Sequence, residues 1–288
     1  MEIVGSRSWF EVVEQFSGVI RGWEQRIHEV NNEATETGAH PNEPEPGSEM
    51  ALDKEEMFYY FAAVWNALAQ SVDHLGAVVD LIVSRPELRV FAYPSLLRTA
   101  LLGSAEAVWL MGPRERSVRT GRAHLLSAEE LRHHAAFLND DPEERGNPAG
   151  GAAVFKQRRD QELAILARTG FNEKYEATAI IREAGAHVEQ IMNVPQGTSR
   201  WYVSQWRMMS AQAHGRTWDK RYRAGYEAGV YNGEQRVSVS RGTVETLGQW
   251  MSASVAVTAA AWSLFDDGRR SAQSRAQASS PGPHANSG

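Results

Sequence analysis

The sequence predicts an all-α protein, an irregular bundle of about seven or eight helices with one short hairpin near residues 230–240. Apolar residues recur at steps of three and four along most of the chain, which is the period of a helix with one buried face. Turn-forming residues gather in a few short stretches between these segments. The helical period is lost between Trp218 and Arg241, where residues 230–233 and 236–240 predict two strands and a turn.

The composition restricts the class of protein. With 288 residues, 42% of them hydrophobic, the chain is long enough to bury one or two cores. It contains no cysteine, which excludes disulfide frameworks, thiolate metal sites and cysteine nucleophiles. A cytoplasmic protein is expected, because the first residues lack the regions of a secretory signal. The net charge of −6 gives no overall attraction to nucleic acid.

The clearest helix is N-terminal, within residues 1–30. Its large apolar side chains repeat in steps of four and three: Trp9, Val13, Phe16, Ile20, Trp23, Ile27 and Val30. Such a stripe packs either against the body of the same chain or against a second copy, and both alternatives stay open. Residues 31–50 are acidic and contain several prolines, so they predict a flexible linker.

Residues 51–267 are predicted to form the main helical bundle. Its first helix starts at Asp53 and runs to Arg85, where Pro86 stops it. The other helices are expected at about 95–111, 114–138 (as one helix or two), 152–169, 173–192, 198–214 and 243–265. Gly170 and Gly215 end two of them. The tail, residues 268–288, has no large apolar residue and is predicted to be disordered.

The last helix raises the question of a membrane span, because residues 247–264 carry no charge. Polar side chains such as Gln249, Ser252 and Thr258 make insertion unfavourable. The apolar residues also form a one-sided stripe. The helix is therefore predicted to be buried in the protein, and no membrane association is expected.

The most suggestive polar residues lie in the helix at 198–214. Helical spacing places Arg207, Ser210 and His214 in one row, with Tyr202 and Trp206 in a nearly opposite row. An arginine and a histidine two turns apart resemble the signature of the HEPN ribonucleases, small all-helical toxin and defence proteins. That resemblance implies that Arg207 and His214 act on the RNA 2′-hydroxyl and phosphate without metal, although Met208 replaces the polar residue that usually follows the arginine.

Structural alternatives exist for this pair. Three other arginine–histidine pairs in the chain have comparable spacing, namely Arg21/His28, Arg119/His124 and Arg182/His187. A histidine that precedes a C-terminal glycine also interacts favourably with the dipole of its helix. His214 followed by Gly215 fits that structural role as well as a catalytic one.

A second resemblance covers more of the chain. Tyr93–Leu102, Ala107–Met111 and the Ser210-x3-His214-Gly-x2-Trp218 segment resemble a group of uncharacterised all-helical actinobacterial proteins. Those relatives commonly carry a glutamate four residues after the arginine, where this chain has Leu102. The resemblance implies no activity, but it suggests that Arg98 and His214 belong to one site.

Other signals for chemistry are weaker. Glu130 and His133 form a single Glu-x-x-His element, whereas a di-iron bundle needs two such elements and two more glutamates. A solvated helix face explains the pair better, and no metal is predicted. Asp73 and Asp80 share one helix face and are expected to form ion pairs with arginines. No nucleotide-binding or zinc motif occurs, so no cofactor is predicted.

The predicted function is a non-catalytic interaction or regulatory module with a protein partner or a second copy. The alternative is a HEPN-like ribonuclease that uses Arg207 and His214 on RNA. Arg98, Ser210 and Trp218 are the candidate binding residues. Arg98 lies on an apolar helix and needs a polar or acidic partner. We therefore expect the Arg98 helix to pack beside the 198–214 helix, either as a structural network or as an anion-binding pocket.

Overall fold

The computed structural model describes residues 9–37, 40, 42–84, 89, 91–141, 143, 147, 150–193, 197–216, 218–222, 226–232, 235–240 and 244–274. Over these ranges the chain forms nine α-helices, so the predicted all-α class is confirmed and the predicted number of helices is slightly low. The helices are α1 (Trp9–Thr37), α2 (Glu49–Glu56), α3 (Tyr59–Ser84), α4 (Ala92–Met111), α5 (Arg116–Asp140), α6 (Gly151–Thr169), α7 (Ala177–Met192), α8 (Ser199–Ala213) and α9 (Val244–Arg269).

A short irregular region separates α8 from α9. It contains a 3-10 helix, Trp218–Tyr222, and two antiparallel strands, β1 (Tyr226–Asn232) and β2 (Gln235–Ser240). The strands pair from Tyr226 with Ser240 to Asn232 with Gln235. This hairpin lies where the sequence loses its helical period.

The chain divides into two compact units, each assembled from three separate stretches. The first unit consists of Met1–His40, Asn66–Val108 and Ala177–Trp262. The second consists of Pro41–Trp65, Trp109–Glu176 and Ser263–Gly288. The sequence predicts one main bundle over residues 51–267 and did not indicate this division, because contacts between distant segments decide it.

In the first unit, α1 packs through its predicted stripe. Val13, Ile20 and Val30 are buried, whereas Phe16, Trp23 and Ile27 are only partly covered. Within the same unit, Arg21 binds Asp80, and Glu24 lies beside Gly76. Since these partners run in opposite directions along the chain, α1 and α3 are antiparallel.

The helix predicted to start at Asp53 is divided in the structure. Ser48 caps α2, and the Met57 N–H donates to the Asp53 carbonyl in an extended conformation that ends the helix. Helix α3 then begins at Tyr59. Asp53 is therefore not an N-cap, and its side chain instead forms a buried ion pair with Arg119 in the second unit.

The boundaries of the predicted linker and tail also differ. Helix α1 continues to Thr37, and Asn42, Pro44 and Ser48 are buried, so much of the 31–50 segment is either helical or packed. The start of the predicted tail belongs to the second unit as well, because the Glu45 N–H donates to the Arg269 carbonyl at 2.8 Å. Residues 275–288 of that tail lie outside the described residues.

By length and apolar composition alone, one helix in the described part of the chain could cross a membrane. It is α3, and half of its most apolar window is buried inside the protein. Buried core helices meet the same two criteria, so this finding is weak evidence for a span. Helix α9, in which residues 247–264 carry no charge, does not meet them.

Candidate functional site

Helix α8 positions most of the polar residues that the sequence analysis selected. His214 follows its last residue, and Gly215 adopts a left-handed φ of 65° that a glycine tolerates without strain. The Gly215 N–H donates to the Gln212 carbonyl, and the Arg216 N–H donates to the Ala211 carbonyl. This hydrogen-bonding pattern ends the helix at the predicted glycine.

Arg98 of α4 contacts α8 directly, inside the first unit. Its Nε donates a hydrogen bond to Ser210 Oγ at 2.8 Å, and its guanidinium carbon lies 4.3 Å from the centroid of the Trp206 ring. The Ser254 hydroxyl of α9 donates to the Leu97 carbonyl at 3.0 Å. Helix α8 thus holds the guanidinium in place, α9 is bonded to the backbone of α4 beside it, and the structure brings together the predicted residues Arg98 and Ser210.

The charge on Arg98 is not neutralised by any residue in the described ranges. Its partners are a hydroxyl and an aromatic ring, and the side chain is half-buried. Burial lowers the pKa of the Arg98 guanidinium, and no nearby carboxylate opposes that shift. The two terminal nitrogens therefore remain as donors beside an aromatic surface.

The two buried arginines of the second unit are paired differently. Arg119 makes a two-point ion pair with Asp53, with Nε–Oδ2 at 2.6 Å and Nη2–Oδ1 at 3.1 Å. Arg122 stacks on Trp109 at 4.9 Å and binds both carboxylate oxygens of Glu173, at 2.8 and 3.2 Å. Each of these cations has an internal anion, whereas Arg98 has none among the described residues.

The other sequence-selected residues lie elsewhere. Arg207 and His214 are exposed and do not share the Arg98–Ser210 hydrogen bond. Trp218 is 49% exposed and packs edge-on against Tyr222, with their ring centroids 6.3 Å apart. We expected Arg98, Arg207 and His214 to line one shared site. The structure instead places Arg98 on Ser210, and neither Arg207 nor His214 takes part in that hydrogen bond.

Trp206 is the functional residue that the sequence analysis missed. It was placed on the face nearly opposite Ser210, yet both residues contact the same guanidinium. Residues four apart on a helix differ in direction by only about 40°. The spacing of Trp206 and Ser210, one helical turn apart, was the signal that could have identified the tryptophan.

A different face of α8 carries buried amides. Gln205 and Gln212 lie two turns apart and are 3% and 1% exposed. Gln205 Oε1 and both amide atoms of Gln212 make no hydrogen bond with a described residue. Burial without a partner costs about 1–3 kcal/mol per group. The protein would therefore be more stable with apolar side chains at positions 205 and 212 than with these two glutamines.

The remaining candidates have structural contacts. Asp80 accepts a hydrogen bond from Arg21, as expected, whereas Asp73 does not form the ion pair that was also expected of it with any described residue. The exposed Glu130 accepts one from Tyr59, and His133 interacts with Arg132. Within the described residues, no group of three or more His, Asp or Glu side chains is arranged to hold a metal ion.

Comparison with known proteins identifies no relative. No family model matches the chain, and no curated protein and no solved structure matches it. The geometry of the chain itself is therefore the basis for a functional proposal.

Proposed function

We propose that this protein is a non-catalytic interaction module that recognises a carboxylate of its protein partner through Arg98. The observation that carries the proposal is a half-buried guanidinium with no carboxylate among the described residues. Desolvating a cation is unfavourable unless an anion or several hydrogen bonds compensate it. A partner that supplies the anion recovers this cost when it binds.

Arg122 provides an internal reference for the proposed complex. It also stacks on a tryptophan, and Glu173 binds it through both carboxylate oxygens. At Arg98 the Nε is already bound to Ser210, so a carboxylate would approach the two terminal nitrogens. The planar fork of an arginine suits this two-point binding better than a lysine does. The Trp206 ring orients the plane of the Arg98 guanidinium before the partner binds.

Side-chain NMR tests the proposal with a defined probe. Glutarate, a dicarboxylate, is titrated while the Nε–Hε signals of Arg98 and Arg122 are followed. We expect a saturable shift of the Arg98 signal and none for Arg122, because Glu173 already occupies the latter. An Arg98 signal that does not move, or that moves in parallel with Arg122, would contradict the proposal.

Stability measurements separate a binding role from a structural one. Arg98→Met should leave the melting temperature unchanged or raise it, because it removes a desolvated charge that has no counterion among the described residues. Arg122→Met, the matched control, leaves Glu173 without its partner and should be destabilising. If both variants lose stability equally, Arg98 is part of the structural network.

The ribonuclease alternative stays a prediction about Arg207 and His214. Their exposure on one row of α8 is compatible with it, and a direct assay distinguishes the two functions. A non-catalytic module leaves single-stranded RNA intact. Cleavage that disappears in His214→Ala, and persists in Arg98→Met, would establish the alternative instead.

A further inference from the structure

A cavity of about 550 Å³ lies between α1 and α3 in the first unit. This volume is within the range of roughly 300–1,000 Å³ that is typical of small-molecule sites. Helix α1 contributes Arg21, Glu24 and His28 to its wall, and α3 contributes Asp73. The cavity shares no residue with the Arg98 contact, so an inference about it is independent of the proposed function.

Beside this cavity, Gly76 allows α1 and α3 to approach each other closely. A Cβ on Gly76 would lie 1.7 Å from Glu24 Oε1, so glycine at this position admits the Glu24 carboxylate. Glu24 then accepts a hydrogen bond from Arg21 at 2.7 Å, and Arg21 also binds Asp80. The hydrogen bonds that Arg21 donates to Asp80 and then to Glu24 raise the pKa of Arg21. The one arginine in the wall is thus held by two carboxylates.

Asp73 differs from those carboxylates. Asp73 is an exposed residue of the cavity wall, and its side chain makes no hydrogen bond or ion pair with a described residue. Arg21, the arginine of the described wall, is already paired with Glu24 and Asp80. Among the described residues of the wall, the charges of Arg21 and Glu24 cancel, and one negative charge remains at Asp73.

The rest of the wall is partly apolar. Ile27 of α1 lies beside Ala69 and Val72 of α3 in the lining. Val72 is buried and the other two are half-buried. A ligand that fits must present apolar surface to these side chains and positive charge to Asp73, because pockets bind through apolar contact and orient through a few polar groups.

We propose that this cavity binds a small organic cation with an apolar group, whose protonated amine pairs with Asp73. Its apolar part lies against Ile27, Ala69 and Val72. The site discriminates by charge as well as by size.

A pair of ligands with similar size and opposite charge tests this site. Tryptamine carries an ammonium group and indole-3-propionate a carboxylate on similar indole skeletons. Calorimetric titration should show saturable binding of tryptamine and at least tenfold weaker binding of indole-3-propionate. Asp73→Asn should weaken tryptamine binding by roughly fivefold, as expected for a partly exposed ion pair. Asp160→Asn, at an exposed carboxylate of α6, is the matched control and should not change it.

A variant that fills the cavity provides the second measurement. Ala69→Phe fills the cavity from the α3 side and should abolish tryptamine binding, and circular dichroism of the variant checks that it is folded. Three results would overturn the proposal: neither ligand binds at millimolar concentration, both bind equally, or Asp73→Asn binds tryptamine as tightly as the wild type. If Ala69→Phe is unfolded, Gln25→Trp, at an exposed residue of the α1 wall, replaces it in the same assay.

Discussion

At the scale of single residues, two arginines that stack on tryptophans have different surroundings. Arg122 is paired with Glu173, whereas Arg98 ends in two donors without an anion among the described residues. Both cations are partly or fully removed from water. The difference lies in one carboxylate on a neighbouring segment, and it separates an internal ion pair from a candidate recognition site.

His187 predicts a pH dependence of stability. Burial lowers the pKa of His187 below its ordinary value of 6.5, with Glu183 opposing the shift, and Nε2 is buried without a described partner. The unfolded chain therefore binds this proton more readily, so stability is lost as the pH falls from 6.5 through the lowered pKa. His187→Gln should be less sensitive to pH than the wild type in this window.

Thermal unfolding between neutral and mildly acidic pH measures this difference. His133→Gln removes an imidazole at an exposed position and is the control for the substitution itself. If the curves of wild type and His187→Gln stay parallel over the whole range, the protonation of His187 is not linked to folding.

At the scale of elements, the α1 stripe predicts a large contrast between neighbouring residues. Ile20 is 0% exposed and Val19 is 42% exposed. Ile20→Ala should destabilise the protein by about 2–5 kcal/mol, because it leaves a cavity in the core. Val19→Ala should cost less than about 1 kcal/mol. Urea denaturation of both variants checks the prediction, and equal losses would mean that α1 packs through another face.

Helix packing also predicts opposite effects of two glycine substitutions. A Cβ on Gly103 of α4 would lie 2.7 Å from Ser71 Oγ and 3.0 Å from the Ala67 carbonyl oxygen on α3. Gly103→Ala should therefore lose about 1–3 kcal/mol to overpacking, which exceeds the roughly 1 kcal/mol that alanine gains in a helix. Gly18→Ala, with open space around it, should instead stabilise the protein.

Denaturation curves of the two alanine variants decide this point. A Gly103→Ala protein as stable as Gly18→Ala would mean that α3 and α4 are not in backbone contact at this position. The comparison is informative because both substitutions are made inside a helix and differ only in what the new methyl group meets.

Capping residues and helical periodicity predicted many of these elements. The elements that were predicted wrongly depend on contacts between residues far apart in the sequence. Gly170, with φ of 70°, ends α6 where the sequence indicated. The break between α2 and α3 contains no glycine or proline, and Phe58 there is 84% exposed. That break coincides with the ion pair of Asp53 with Arg119, a residue far along the chain. No periodicity within the segment itself could have indicated it.

The candidate site was predicted in part for the same reason. An isolated arginine on an apolar helix indicates that a partner exists, and helical spacing proposes which residues share its face. Arg98 and Ser210 were obtained in this way. That no carboxylate in the described part of the chain faces Arg98 depends on how the helices pack, and the spacing of residues along one helix carries no information about this packing.

At the scale of the whole molecule, the second unit joins the segment before α2 to the residues that follow α9. The Ser271 N–H and the Ser274 hydroxyl both donate to Glu45 Oε2, at 2.8 and 2.7 Å, and these bonds lower the pKa of Glu45. A chain that ends at Asp267 should melt at a lower temperature than one that ends at Ser274. Glu45→Ala should remove most of that difference, and equal melting of the two truncated chains would show that the contact contributes nothing.

The assembly of each unit from three separate stretches has a consequence for synthesis on the ribosome. In the first unit, the Arg26 guanidinium of α1 lies 4.3 Å from the Trp262 ring near the end of α9. At about 5–20 residues per second, translation takes on the order of 10 to 50 seconds between these two residues. The face of the nascent α1 that carries Arg26 therefore lacks this contact during that interval, although α3, the other partner of α1, has already been synthesised.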